Sequence, residues 1–335
     1  MRIWQKNVSI SINIECLSSR NCFFNEKAFE QDQRHDSLCK GLMITDWTFK
    51  PLSYMEMNAR FQTSMPRRGW KHAAKILSSK TPDYSNLEIA DVGCGTGTFA
   101  LLFGLLGAKI VLIDYDKSVL EATKKIYEMW RVKAEFHNLS CLNTPPEYLL
   151  DRFDMVSSGG LAEHFTGEDR SRCISFHYKL LKKGGFAYIG VPNALSPFYQ
   201  AVVGFRRLTA TFGIDIEVPF SYGELIHMAR KLGFDRYYVL GNEYLRRDCI
   251  EYTLGMISAC IDILPDKVKT TIRSLQKKVR NQASNAKPEN PAEIILDAQN
   301  IIRNRINTAQ TMPVPSSILA DRLSAGLVLF GFRDK

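Results

Sequence analysis

The chain has 335 residues, 45% hydrophobic and 24% charged, a balance that builds a well-buried core and excludes a disordered or fibrous chain. No apolar run reaches the roughly 18 residues that cross a bilayer; the richest, CIEYTLGMISACIDIL (249–264), is broken by Glu251 and Asp262 and reads as a packed helix. The net charge of +9 fits either a solvated basic face or, more sharply, an anionic substrate or partner.

The opening MRIWQKNVSISINIE has neither the continuous apolar segment nor the small-residue cleavage site of a secretory signal. Cysteines at 16, 22, 39, 94, 141, 173, 249 and 260 form no CxxC pair and no zinc-spaced cluster. Reduced thiols, a cytoplasmic location and no membrane insertion are therefore expected. VSISINIE (8–15) alternates Val8, Ile10, Ile12 and Ile14 against polar residues, the pattern of a half-buried strand. Residues 18–40 are polar and patternless, and loop or partial disorder is expected there. RRGWKHAAKILSS (67–79) reads as a helix with Trp70, Ala73, Ala74 and Leu77 on one face.

From about 85 to 240 short apolar runs alternate with helical patterns. Strands are expected at 87–92, 109–114, 134–138, 153–158, 185–191 and 236–241, and helices near 97–106, 117–130, 168–182 and 222–232. That alternation predicts an α/β fold, a largely parallel sheet with helices on both faces, whose ligands bind beyond the carboxyl ends of the strands. After 242 the rhythm changes. In 265–282, Val268, Ile272, Leu275 and Val279 make one apolar stripe, with Lys267, Lys269, Arg273, Lys277, Lys278 and Arg280 on the other faces. A polar linker (281–291) leads to a second helix with Asn290 as N-cap, Pro291 at its first position and an apolar stripe of Ile295, Ala298, Ile302 and Ile306. SAGLVLFGF (324–332) is one more strand. The expected organisation is an N-terminal extension (1–66), a core (67–242 with 321–335) and a helical insertion (243–320) serving as a cap or an oligomer interface.

IADVGCGTGTFA (89–100) sits where such a sheet binds its ligand. A P-loop string, GxxxxGK with Ser or Thr, does not occur, and a dinucleotide turn fails at its third glycine, where Thr98 stands. An acid followed by xGxGxG, the S-adenosylmethionine loop, matches at Asp91, Gly93, Gly95 and Gly97. The glycines permit close approach. Amides at the next helix start favour an electron-rich group. Asp91 suits a ligand bearing an ammonium and a sulfonium and would repel a pyrophosphate. Asp114 ends KIVLID, 17 positions beyond Gly97, near the spacing at which an acid meets ribose hydroxyls; the other reading is a cap for the helix starting near Lys117.

With these residues the sequence resembles the class I S-adenosylmethionine-dependent methyltransferases of small-molecule type, over roughly 67–241 and the final strand. FDMVSSGGLAEHF (153–165), LLKKGGFAYIGVPN (180–193) and VPFSYGELIHMARKLGF (218–234) are similar to the family's fourth strand, its fifth, and the helix before its sixth. The resemblance implies a Rossmann-like seven-stranded mixed sheet with the last strand antiparallel. It implies that Asp91, Gly93, Cys94, Gly95 and Gly97 hold the methionine part of S-adenosyl-L-methionine, that Asp114 binds the ribose and that Tyr115 packs on the adenine. Asn138 or Ser140 would stand in for the acid the family often places after its third strand, and Ser158 and Gly159 would lie beside the cofactor.

SSGG after the fourth strand replaces the Asn/Asp-Pro-Pro-Tyr/Phe of amino-methylating members, which turns the expectation from planar nitrogen towards a hydroxyl oxygen. Gly160 stands where the ExxEH of small-RNA 2′-O-methyltransferases has its first Glu, so Glu163 and His164 alone make a poor metal site and no metal is expected. His164 is the first candidate for a general base, a structural histidine being the alternative; His177, within a helix, reads as structural. Tyr54, Arg67 and Arg68 are candidate lining of an acceptor pocket. In 194–220, Tyr199, Phe205, Phe212 and Phe220 offer aromatic material, and Arg206 and Arg207 could meet an anionic group. The expected partner is a small methyl acceptor, anionic or aromatic, with a homo-oligomer left open. Two other readings stay open: an RNA-binding protein or RNA methyltransferase using 265–282, which lacks aromatic residues for base stacking, and a non-catalytic cofactor-binding subunit.

Overall fold

The structure is a computed structural model that describes residues 67–208, 217–242, 290–311 and 318–335, with scattered positions between 261 and 274. The strand expected at 8–15, the polar stretch 18–40, Tyr54, Phe212 and most of the basic helix 265–282 lie outside the described residues. Of that helix's expected apolar stripe, Val268 is 43% exposed, beside exposed Lys267 and Thr271. Among the described residues no helix is long and apolar enough to cross a membrane.

Seven strands form one sheet: β1 (Glu88–Val92), β2 (Lys109–Asp114), β3 (Ala134–Asn138), β4 (Phe153–Gly159), β5 (Leu181–Pro192), β6 (Arg236–Gly241) and β7 (Gly326–Arg333). Their order is β3-β2-β1-β4-β5-β7-β6. β7 runs antiparallel to both β5 and β6, and the remaining pairs are parallel. Strand order thus reverses between β1 and β4, and the glycine loop leaves β1 at that point. The helices are α1 (Arg68–Lys80), α2 (Thr98–Gly104), α3 (Lys117–Met129), α4 (Gly167–Leu180), α5 (Pro197–Leu208), α6 (Tyr222–Lys231), α7 (Pro291–Thr311) and α8 (Ile318–Leu323).

The apolar runs of the inner strands are continuous because both faces are covered. Ile89, Ile110, Leu112, Met155, Phe186 and Val328 pack on one side with α1, α2, α3 and α7. Their chain neighbours Ala90, Val111, Ile113, Val156, Ala187 and Leu329 pack on the other with α4 and α6. β5 starts earlier than the sequence suggested, and α4 correspondingly stops earlier. Leu181 already pairs with Phe153, and the register then jumps to Phe186 opposite Met155. Lys182–Gly184 bulge out between them, with Gly184 at φ 78°, and Gly185 already pairs with Arg333.

The helix α7 begins as its caps predict: Pro291 is its first residue and Asn290 Oδ1 accepts from the Ala292 amide at 3.1 Å. Ala298, Ile302 and Ile306 are buried in the same cluster as Trp70, Ala73, Ala74 and Leu77 of α1, and Gln299 Nε2 donates to the Leu105 carbonyl at 2.9 Å. This part of the insertion is therefore a layer of the core. Asn290→Ala should lower stability by about 1 kcal/mol, read as a shifted urea midpoint with an unchanged slope.

Candidate active site

All three loop glycines are left-handed, with φ of 61°, 50° and 62° at Gly93, Gly95 and Gly97. A Cβ on Gly93 would stand 2.6 Å from Leu161 Cδ1, on the turn after β4, and one on Gly97 2.9 Å from the Tyr127 ring. Among the described residues a Cβ on Gly95 would meet nothing within 4 Å. Two glycines therefore let protein pack against the loop, and the middle one faces open space. α3 holds the loop's shape: Tyr127 OH donates to the Gly97 carbonyl at 2.9 Å, and Thr123 Oγ1 donates to that of Gly95.

The loop amides that a phosphate would need are engaged inside the protein. Gly93 and Cys94 donate to the Ile113 carbonyl at 2.8 and 3.2 Å, and Gly97 donates to Cys94 at 2.7 Å. The Gly95 amide donates to Asp114 Oδ2 at 3.3 Å. Asp114 Oδ1 accepts from the Asp116 amide at 3.0 Å, and the N-cap of α3 is Asp116, which removes the capping explanation for Asp114.

Asp91 is buried and sits opposite Ser157 in the sheet register, and Ser157 Oγ donates to its Oδ1 at 2.8 Å. Burial lifts Asp91 from the usual carboxylate range to about 7; the Asp114 charge adds to the lift and the Ser157 hydroxyl opposes it. Burial also raises Asp114, against the pull of the Asp116 and Gly95 amides. The Cys94 thiol is pushed well up, by burial first and then by both carboxylates, so it stays protonated. The site thus holds a pair of buried carboxylates.

A family model described as a methyltransferase domain matches residues 89–185, from β1 through the start of β5. The chain carries a methyltransferase domain. It is 31% identical over 163 residues to a ubiquinone biosynthesis O-methyltransferase of Pelagibacter ubique, covering 47% of this chain and 65% of that protein. Another protein of that name, from Bradyrhizobium sp., is 30% identical over 123 residues, 36% of this chain and 46% of that one. The chain thus spans less than two thirds of the length of these curated relatives. A crystal structure of a SAM dependent methyltransferase from Archaeoglobus fulgidus is similar at a TM-score of 0.41 and 16% identity, over 78% of this chain and 93% of that one.

Within the methyltransferase domain the turn after β4 lies against the glycine loop through Leu161. Ser158 is buried, and among the described residues its Oγ has no hydrogen-bond partner; Gly159 is exposed, and a Cβ there would meet nothing within 4 Å among them. His164 is exposed, whereas Glu163 beside it is 4% exposed. His177 is fully buried, its Nδ1 2.8 Å from the Cys173 carbonyl, and burial depresses it to about 4; it is a core residue.

At the adenine end, Tyr115 is 69% exposed. Asn138 Nδ2 donates to the carbonyls of Asp114 and Tyr115 at 3.1 and 2.7 Å, and Ser140 Oγ accepts from the Leu142 amide at 3.2 Å. Both side chains shape the rim of the site. Arg68, expected in a pocket, is instead buried in an ion pair with Asp321 of α8. Tyr199 donates to Glu217 at 3.1 Å, Phe220 lies 3.8 Å under the Arg170 guanidinium, and Phe205 is half-buried. Arg206 and Arg207 belong to α5, their side chains outside the described set.

Thr123, Tyr127, Ser157 and Glu163 were not singled out for these roles by sequence reasoning. The first two carried a signal: polar groups four apart on the otherwise apolar face of α3.

Proposed function

We propose that the chain is an S-adenosylmethionine-dependent methyltransferase that moves a methyl group to a hydroxyl oxygen of a small molecule. One observation carries the cofactor: the glycine loop offers open space at Gly95 between two buried carboxylates, while four of its amides are already engaged. That donor set fits a ligand with an ammonium and ribose hydroxyls, and it disfavours a pyrophosphate. Asp91 would hold the ammonium, Asp114 the ribose hydroxyls, and Tyr115 the adenine face. Gly159 and Ser158 would border the methyl. Support for oxygen as the acceptor atom comes from SSGG at the end of β4 and from the O-methyltransferase names of the relatives.

The cofactor, when bound, supplies an electrophilic methyl carbon. The protein's part is to orient the acceptor, which is worth up to about 7–11 kcal/mol, and to exclude water. Purified chain, S-adenosylmethionine and a panel of phenols should yield methyl ethers; cofactor binding without turnover on any hydroxyl compound would favour the non-catalytic reading instead.

The two carboxylates also set a pH dependence. An ammonium binds ionised Asp91, so below pH 7 it must displace a proton. The dissociation constant of S-adenosylhomocysteine should rise about 20-fold between pH 7.5 and 5.5 for one such proton, as measured by calorimetry. A flat profile would show that Asp91 is not the ammonium's partner.

A further inference from the structure

The Glu163 carboxyl is unexplained by the fold. It lies on the turn after β4, whose Leu161 presses on Gly93. Its main-chain carbonyl accepts from the Val218 amide at 2.8 Å, fixing the turn against the segment ahead of α6. The side chain folds back so that Oε1 is 3.6 Å from where a Cβ on Gly160 would stand. Oε2 is buried and has no hydrogen-bond partner among the described residues.

Leaving a buried carboxyl oxygen unpaired is costly, and a neutralising cation stands close by but is bound elsewhere. Arg170 of α4 donates to the Phe165 carbonyl at 2.8 Å, to Glu224 at 2.6 Å and to the Val218 carbonyl. Its own amide and Glu217, held by Tyr199, also act on Glu163, which in turn raises the Cys173 thiol of α4. A second buried oxygen without a partner among the described residues, Ser158 Oγ, lies five positions back near the end of β4. Two buried polar atoms without partners among the described residues thus flank Leu161, which packs on the glycine loop.

Resting on the cofactor reading above, we propose that Glu163 is the base of this site and that its Oε2 takes the proton of the acceptor hydroxyl. The acceptor's O–H bond breaks and its proton joins Oε2. The electron pair left on oxygen forms the bond to the methyl carbon as that carbon's bond to sulfur breaks. One carboxylate and one sulfonium charge disappear together, leaving a neutral ether, a thioether and a protonated carboxyl that later returns its proton to water. Burial lifts Glu163 to about 8, against the pull of its own amide and of Arg170 and with Glu217 adding, which matches a base working near neutral pH. His164, one residue on, is exposed instead.

Glu163→Gln keeps the shape and removes the base. At pH 8 it should bind S-adenosylhomocysteine as wild type does, and lose about 10²–10⁴-fold in kcat/KM with catechol. With a nitrophenol, already ionised at that pH, the loss should largely vanish. A structural role would lower both acceptors equally. In the ligand-free protein, the wild-type minus E163Q infrared spectrum should show a protonated-carboxyl band at pH 7 that is gone by pH 9.5. Equal losses for the two acceptors, a missing band, or an acceptor-dependent loss in His164→Gln in place of E163Q would overturn the assignment. Failure of wild type to bind S-adenosylhomocysteine would instead bring down the cofactor reading beneath it.

Discussion

Asp91→Asn should weaken S-adenosylhomocysteine binding while making the ligand-free protein more stable at pH 8. Hydrogen bonds to charged groups are worth about 1.5–3 kcal/mol, so removing the carboxylate charge should raise the dissociation constant about 10- to 100-fold and flatten its pH dependence. Stability should move the other way. The fold raises this acid from its usual value of 3.8 to about 7. Its contribution is therefore fully present below the unfolded value and is lost as pH rises through 7. At pH 8 wild type holds a buried charge beside Asp114, whereas Asn can still accept the Ser157 hydrogen bond with no charge to bury. Calorimetry and thermal melting on the same samples should give opposite signs. A variant weaker in both would mean that Asp91 is a structural acid.

The second large effect separates two glycines two residues apart. Gly95→Ala places a methyl group in open space, so the fold loses only the left-handed backbone penalty of about 1–2 kcal/mol. The ligand loses the space it needs, and binding should fall below detection. Gly97→Ala meets the same backbone penalty and also sets a methyl group 2.9 Å from Tyr127 and 3.0 Å from Thr123. Overpacking adds about 1–3 kcal/mol, so G97A should be the less stable protein by that margin. Denaturant midpoints and calorimetric titrations of both variants decide it. If G95A still binds and G97A alone fails, the loop's open face does not hold the ligand.

Much of the fold was legible because strand and helix patterns alternate cleanly. β2, β3 and β6 fall on their expected residues. The position of β7 between β5 and β6 is not a local property, and only the family resemblance implied an antiparallel last strand. The early start of β5 was hidden because LKKGG reads as a turn, while the observed bulge keeps Leu181 paired and loops out the residues after it.

The site was legible where its residues are consecutive. Asp91, the three glycines and Asp114 announce themselves by spacing. The roles of the individual glycines depend on Leu161, Thr123 and Tyr127, which arrive from other elements. Ser157 reaches Asp91 only through the β1–β4 register. Arg68 meets Asp321 across 253 residues, which no local pattern foretells, and so its sequence reading as pocket lining gave way to a buried ion pair. Glu163 was weighed only as a metal ligand, because its burial without a partner exists only in the folded chain.

The most direct test is a crystal structure of the chain with S-adenosylhomocysteine. The ligand should lie over Gly95, its amino group on Asp91 and its ribose hydroxyls on Asp114, with no new bonds to the amides of Gly93, Cys94 or Gly97. A nucleotide phosphate bound to those amides in competition, or a ligand seated away from both carboxylates, would contradict it.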